Sequence, residues 1–279
     1  MNKTADLHVH THFSDSTASP NEVVQTALKQ GLTCLGITDH DTCDGIAPAA
    51  QAAEGTWLEI IPGIEFSCFQ QKRDIHILGY FLDCHHPELL EQLHKFQNAR
   101  VERVYKMIDK LKEQGVDNII PEDVLKLAES DAVGRPHLAS VLVDKGWVSN
   151  IRSAFDRFLA DDRPAYVPKF KQTPYEAIEL IHQAGGAAVL AHPAVTNVDE
   201  LIPGFVDAGL DGLEVYYPPR YSHTVRFYEG LARKYSLLMT GGSDAHGEDR
   251  SHGRIGDIKI PYSLVEDLKA RAARYPSSR

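Results

Sequence analysis

The chain is poor in cysteine, in positive charge and in long apolar runs, and each shortage removes a class of protein. Its four cysteines in 279 residues, Cys34, Cys43, Cys68 and Cys84, form no CxxC pair. That argues against a zinc-finger or disulfide-stapled scaffold and leaves them as reduced packing residues. With 29 Lys+Arg against 39 Asp+Glu the formal net charge is −10, which repels a phosphate backbone, so a protein that coats DNA is not expected. No stretch approaches the ~18 to 20 apolar residues of a membrane-spanning helix. The opening MNKTADLHVH carries no apolar signal-type segment, so the expectation is a cytoplasmic chain with no membrane contact. There is no internal repeat and no low-complexity tract. What remains is an ordinary globular composition, 43% hydrophobic and 24% charged, long enough to bury a full core. One component is unusual: 14 histidines, gathered in short clusters with carboxylates.

Short apolar runs alternate with helical ones, the pattern of parallel strands joined by crossover helices. Candidate strands are 5–9, 33–38, 58–64, 75–81, 187–191, 212–216 and 237–240, and about seven of them suggest a closed α/β barrel. Ser19-Pro20-Asn21-Glu22 and Thr173-Pro174-Tyr175-Glu176 each read as an N-cap, a proline at the first helical position and a capping glutamate. Between Cys84 and Lys169 the strand signal disappears. Helical spacing over 87–114, and shorter helical patterns at 121–130, 136–145 and 153–160, mark an all-helical insertion. The expected organisation is a discontinuous barrel, 1–84 with 168–279, and a helical cap, 85–167, with a last helix over 264–275.

The clusters fall at candidate strand ends. His8-Val9-His10 ends the first strand, Asp39-His40-Asp41 the second, Glu65 the third and His192 the fifth, and Asp244-Ala245-His246 follows the last. In a parallel barrel all carboxyl ends of strands open on one rim, where such folds place their active sites, so these residues converge. Alternate residues of an extended strand point the same way, which lets His8 and His10 face one ion while Val9 packs outward. Asp244 and His246 share that period, and Glu65 can bridge two ions through its two oxygens. Nitrogen and oxygen ligands without thiolate suit Zn²⁺, Mn²⁺ or Fe²⁺ better than Ca²⁺.

These motifs resemble those of the PHP family, the polymerase and histidinol phosphatase superfamily of metal-dependent phosphoesterases. ADLHVHTHFSDS matches its first motif, GITDHDT its second, His192 in VLAHP its third and GGSDAHG its last, from Asp6 to Gly247. The resemblance implies a distorted seven-stranded (β/α)7 TIM-like barrel of the PHP type with an all-helical insertion. At its rim three divalent ions are implied, Mn²⁺ first, with Zn²⁺ or Fe²⁺ as alternatives. One would be held by His8, His10, Glu65 and Asp244, a second by Glu65, His76 and His192, and a third by Asp15, His40 and His246. Asp39 and Asp41, flanking His40, are expected to orient a ligand imidazole, although a helix N-cap role fits Asp41 equally. Glu214 also faces the rim and receives no ligand role.

The insertion and GRPH at Gly134 to His137 resemble one branch of that family. Its members act on nucleoside 3′,5′-bisphosphates and, in some cases, on the 5′ ends of short RNA. That implies removal of the 3′-phosphate to leave the 5′-monophosphate, by a metal-activated water. A planar guanidinium matches a remote phosphate, so Arg135 is the expected clamp, with His137 beside it and His223 as a phosphate ligand or leaving-group acid. Arg163, Lys169 and Lys171, with Tyr166 and Phe170 between them, form a basic run without a carboxylate, where a base can stack; a solvated surface is its commoner meaning. His12, His85, His86, His94, His182 and His252 receive no role. The alternatives are a 5′-to-3′ exoribonuclease on short RNA, a histidinol-phosphate-type phosphatase, an amidohydrolase and a non-catalytic metal module. The expected partner is a small nucleotide or short RNA, with no obligate protein partner.

Overall fold

The alternation in ADLHV sets the first strand. In this computed structural model, which describes residues 3–127, 133–168, 170–218, 222–247 and 253–276, it forms β1 (Thr4–Val9). Val9 packs outward against Val23, Val24 and Ala27. There follow β2 (Cys34–Ile37), β3 (Glu59–Gln70), β4 (Arg73–Tyr80), β5 (Ala187–Leu190), β6 (Gly212–Tyr216), β7 (Leu238–Gly241) and β8 (Ile260–Pro261). They make one eight-stranded sheet in the order β7-β6-β5-β4-β3-β2-β1-β8. The sheet curls until its first strand meets the segment after β7: Val9 bridges Ala245 in parallel. There the His10 N–H donates to the Ala245 carbonyl at 3.1 Å and the Asp244 N–H to that of His8 at 2.8 Å. The result is a near-closed α/β barrel.

Two features differ from the expectation of seven parallel strands. First, β4 runs antiparallel to both β3 and β5, because β3 and β4 form a hairpin closed by Gln71 and Lys72, both at positive φ (50° and 64°), as a two-residue type I′ turn requires. Second, β8 is a two-residue strand antiparallel to the start of β1. Glu65 is therefore not the end of the third strand but lies inside a 12-residue one.

Two compact units are present, one made of the chain up to Glu91 together with everything from Lys171 on, the other of Gln92–Phe170. In the first, α1 (Pro20–Lys29) starts on the expected capping box, with Ser19 Oγ accepting from Glu22 N at 3.3 Å and the Glu22 carboxylate from Ser19 N at 2.8 Å. After β2 comes α2 (Ile46–Ala53). The second unit is helical among its described residues: most of α3 (Pro87–Glu113), then α4 (Pro121–Leu125), α5 (Arg135–Asp144) and α6 (Ile151–Ala154), continued by a π-turn at Phe155–Leu159. Its core joins Val104, Met107 and Leu111 of α3 to Leu138 and Leu142 of α5 and to Leu159. The expected helix over 121–130 is described only to Leu127.

Back in the first unit, α7 (Pro174–Gln183) opens on the Thr173–Glu176 capping box. Then come α8 (Pro193–Thr196), α9 (Ile202–Asp207), α10 (Ser222–Lys234) and α11 (Tyr262–Ala272). No described helix is long and apolar enough to cross a membrane.

Candidate metal centre

Backbone ladders bring the clusters together one strand at a time. Past the end of β2, His40 bridges Glu65 of β3, with Asp41 N–H donating to the Glu65 carbonyl and Glu65 N–H to that of Asp39, both at 3.1 Å. The reversal of β4 places His76 near the start of its strand, opposite Ser67, and so on the side of the hairpin where Glu65 lies. Ala191 N–H donates to the His76 carbonyl at 3.0 Å, which sets His192 beside it. After β7, Gly242 lies against the backbone and Cβ of His8, where any side chain would collide, and that close approach carries Asp244 to His8 and His10.

Glu65 is the hub. It is 1% exposed, and five imidazoles surround its carboxylate. Oε2 lies 3.2 Å from Nε2 of His8, Nε2 of His10 and Nδ1 of His40, without an aligned hydrogen bond. Oε1 lies 2.9 Å from His76 Nδ1 and 3.1 Å from His192 Nε2. Asp244 Oδ1 faces His8 and His10 Nε2 at 3.3 and 3.1 Å. The two Nε2 atoms are themselves 3.1 Å apart. The more open side is built by Asp15, half exposed, which lies 3.1 Å from His246 Nε2, 3.7 Å from His40 Nε2 and 3.9 Å from His10 Nδ1. Three donor sets result: His8, His10, Glu65 and Asp244; His10, Asp15, His40 and His246; and His40, Glu65 and His76.

These separations fit an ion better than they fit each other. Ligands bonded at about 2.1 Å stand about 3.0 Å apart at right angles and about 3.4 Å apart at the tetrahedral angle. Glu65 Oε2 is a buried acceptor that three nitrogens approach and none is aligned to satisfy, which is costly unless a cation sits among them. The charges respond to one another in the same way. Burial opposes a charge on His8, but Glu214, Glu65 and Asp244 outweigh it and hold its pKa well above the ordinary imidazole value. His10 is likewise raised against its burial, by Asp244 and Glu65, to about 10. At His40 burial prevails over Glu65 and Asp15 and lowers the pKa to about 4. Glu65 and Asp244 stay well below the carboxylate range despite burial, through His40 and His8 at the one and His8 and His10 at the other.

Some expected roles fall elsewhere. Asp39 does not orient His40. Its carboxylate accepts from Thr11 N–H (2.7 Å), Thr11 Oγ1 (2.7 Å) and Ser14 Oγ (2.6 Å), pinning the loop beside His10. Asp41 caps no helix, since the N-cap of α2 is Gly45; it adopts φ 55° and accepts from Ser67 N–H at 2.8 Å. Lys171 is not free of carboxylate, pairing with Asp74 at 2.8 Å and lying 3.5 Å from the Phe69 ring centroid. Lys169 and His252 lie outside the described residues.

The expected substrate residues each have local surroundings of their own. Arg135 opens α5, donates to the Leu159 carbonyl (3.2 Å), pairs with Asp161 (2.8 Å) and sits over Phe155 and Tyr166. His137 Nδ1 accepts from Gly134 N–H at 3.1 Å, a local cap. His223 is exposed in the first turn of α10. Two residues given no role bear on the centre: Glu214, against His8 Nδ1 at 3.0 Å, and Tyr217, whose hydroxyl donates to Asp244 Oδ2 at 2.9 Å. A lone carboxylate inside the apolar strand GLEVY was the available signal for Glu214, because a buried charge needs partners; Tyr217 offered none.

Comparison with known proteins agrees with this geometry. The PHP domain family model matches residues 6–126. The chain is 34% identical over 248 residues to the 5′-3′ exoribonuclease Rnm of Escherichia coli, covering 86% of this chain and 84% of that one. It is 31% identical over 278 residues to the 3′,5′-nucleoside bisphosphate phosphatase of Chromobacterium violaceum, covering 96% and 98%. A crystal structure from Bifidobacterium adolescentis, described as a metal-dependent phosphoesterase, superimposes with a TM-score of 0.82 at 30% identity over 96% of both chains. Histidines and carboxylates converging from separate strands onto shared points, in a barrel of this topology, thus mark a chain that belongs to the PHP domain family and is a metal-dependent phosphoesterase.

Proposed function

We propose that the protein removes the 3′-phosphate of nucleoside 3′,5′-bisphosphates and leaves the 5′-monophosphate. The observation that carries this reading is the match to the Chromobacterium phosphatase along nearly the whole of both chains. The ligands in this reading are His8, His10, Glu65 and Asp244 for one ion, Glu65, His76 and His192 for a second, and Asp15, His40 and His246 for a third. Mn²⁺ is the first choice, since these nitrogen and oxygen donors accept it. When bound, such ions supply Lewis-acid neutralisation of phosphoryl oxygens and a water acidic enough to attack at neutral pH. Glu65 holds the imidazoles around it at fixed spacing, and Asp15, the exposed member, stands where substrate enters. Arg135 takes the second phosphate by exchanging Asp161 for it, a planar guanidinium being matched to phosphate. Arg103 adds to the positive field there: burial and the neighbouring Arg135 lower its pKa to about 10, and its buried Nη2 has no hydrogen-bond partner. His137 and His223 are subsidiary ligands of the same phosphate.

A second reading, a 5′-to-3′ exoribonuclease on short RNA, is favoured by the identity to the Escherichia coli enzyme. It uses the same ligands. The test is phosphate release by Mn²⁺-loaded protein from adenosine 3′,5′-bisphosphate, run beside mononucleotide release from a 5′-phosphorylated oligoribonucleotide. Faster turnover of the bisphosphate, with 5′-AMP as product, supports the first reading. Turnover confined to the oligonucleotide replaces it with the second.

A further inference from the structure

Strand β6 contributes no donor to any of the three ligand groups, yet its Glu214 is a fully buried carboxylate at the centre's edge. Its side chain is 0% exposed. One oxygen lies 3.0 Å and the other 3.2 Å from Nδ1 of His8, on the face of that ring turned away from Glu65 and Asp244. The second oxygen also accepts the main-chain N–H of His192 at 2.8 Å. His8 lies in β1 whereas His192 follows β5 as the N-cap of α8, and the two belong to different ion sites in the reading above.

Each contact solves a separate positioning problem. A neutral imidazole carries one proton, and a ligand must carry it on the nitrogen turned away from the ion. A carboxylate at Nδ1 accepts that proton's hydrogen bond and leaves the Nε2 lone pair toward Asp244 Oδ1 and Glu65 Oε2. His192 has a backbone problem. It sits at φ 29° and ψ 54°, a left-handed conformation strained for a residue with a Cβ, and Pro193 after it disfavours relaxation into the right-handed helical region. The grip of Glu214 on its N–H holds this turn, with the ring directed at Glu65 Oε1 and His76 Nδ1, 3.1 and 3.3 Å away.

We infer that Glu214 is a positioning residue that fixes the His8 tautomer and the His192 backbone together, so that one buried carboxylate sets the affinity of two ion sites. The inference rests on the ligand assignment above. Loss of a comparable supporting hydrogen bond weakens metal affinity about 10- to 100-fold.

The test uses full-length protein stripped of metal and titrated with Mn²⁺ against a competing chelator, with bound stoichiometry from elemental analysis. Wild type, Glu214→Gln and Asp244→Asn are compared. Glu214→Gln is expected to keep the circular dichroism spectrum of wild type and to lose about 10- to 100-fold in affinity at more than one site. Asp244→Asn is expected to lose binding chiefly at one. Wild-type affinity in Glu214→Gln with loss in Asp244→Asn overturns the role of Glu214 alone, whereas wild-type affinity in Asp244→Asn overturns the ligand assignment and the inference with it. A second measurement needs no variant. In Zn²⁺-loaded, ¹⁵N-labelled wild type, the His8 ring is expected to show its proton on Nδ1, and a proton on Nε2 overturns the inference even if Glu214→Gln does not fold.

Discussion

The barrel and the helical unit treat charge in opposite ways. At the barrel rim ionisable groups are buried and converge, with five imidazoles around the Glu65 carboxylate. Three residues of the same rim, Asp41, His192 and Asp244, stand at positive φ. In the helical unit the core is apolar, and ionisable residues such as Arg152, Asp156 and Asp161 face solvent. Among the described residues Arg103 is the buried exception there. Buried charge is costly unless paired or coordinated, and backbone strain persists only where its surroundings enforce it. A barrel that keeps both at one rim is therefore giving up stability for a site, whereas the helical unit is built for packing and presents its cations outward. The comparison places the buried, converging ionisable groups in the first, and the reading proposed above gives substrate selection to Arg135 of the second.

The largest break in that comparison is expected from Glu65→Gln. Removing the shared charge leaves five imidazoles without their common partner. Both bound metal and phosphoester hydrolysis are expected to fall, activity by about 10³-fold or more, since metal stabilisation of the transition state amounts to several kcal/mol. Elemental analysis and phosphate release check both. Arg135→Ala should act on the other side of the division. Loss of a charge-assisted hydrogen bond is worth about 1.5 to 3 kcal/mol, or about 10- to 100-fold in kcat/KM for a bisphosphate. Metal content should stay at the wild-type value, and turnover of a substrate lacking the second phosphate should not change. Equal losses on both substrates would remove Arg135 from substrate selection.

How much of this was legible depended on whether a physical signal sat in the local sequence. The capping boxes at Ser19 and Thr173 were legible because the residue pattern is itself the hydrogen-bonding device. His8, His10, Asp244 and His246 were legible because a period of two puts alternate side chains on one face. The direction of β4 was not. An apolar run says nothing about polarity, and the turn that reverses it uses Gln71 and Lys72 at positive φ without the glycine or asparagine that normally announces such a turn. That reversal is what puts His76 at the rim, so its place could come only from family resemblance. Asp39 and Asp41 were misread for a different reason: adjacency to His40 in sequence is not adjacency of side chains, and successive residues of an extended segment point apart.

Proton competition separates the barrel groups further. His8 is held well above, and His10 up to about 10, from an ordinary 6.5. His10 therefore carries a proton at neutral pH in the metal-free protein, and the stability this lends the fold is fully present below pH 6.5 and lost as pH rises through about 10; the raised pKa of His8 acts in the same direction. An ion must displace such protons, so its apparent affinity is expected to climb between pH 6.5 and 10, by up to about tenfold per pH unit for each proton released. His40, lowered to about 4, is already neutral and contributes nothing to that slope. Calorimetric titration of Mn²⁺ in buffers of different ionisation enthalpy counts the protons. A pH-independent affinity with none released would contradict the charge state assigned to His10.

The smallest effect asks whether the units also melt apart. Ser19 caps α1 in the barrel, and Asn150 caps α6 in the helical unit, accepting from Ser153 N–H at 2.9 Å. Replacing either by alanine removes one side-chain acceptor at a helix start and costs about 1 kcal/mol. If the two cores are separately cooperative, native-state hydrogen exchange should quicken by about fivefold in the unit that carries the substitution and stay unchanged in the other. Ser19→Ala should then loosen amides near Val23 and Val24 but not those near Leu138 and Leu142, and Asn150→Ala the reverse. Equal acceleration in both units from either substitution would mean that they unfold as one, and the division of labour would then be chemical only, carried by where the charges sit.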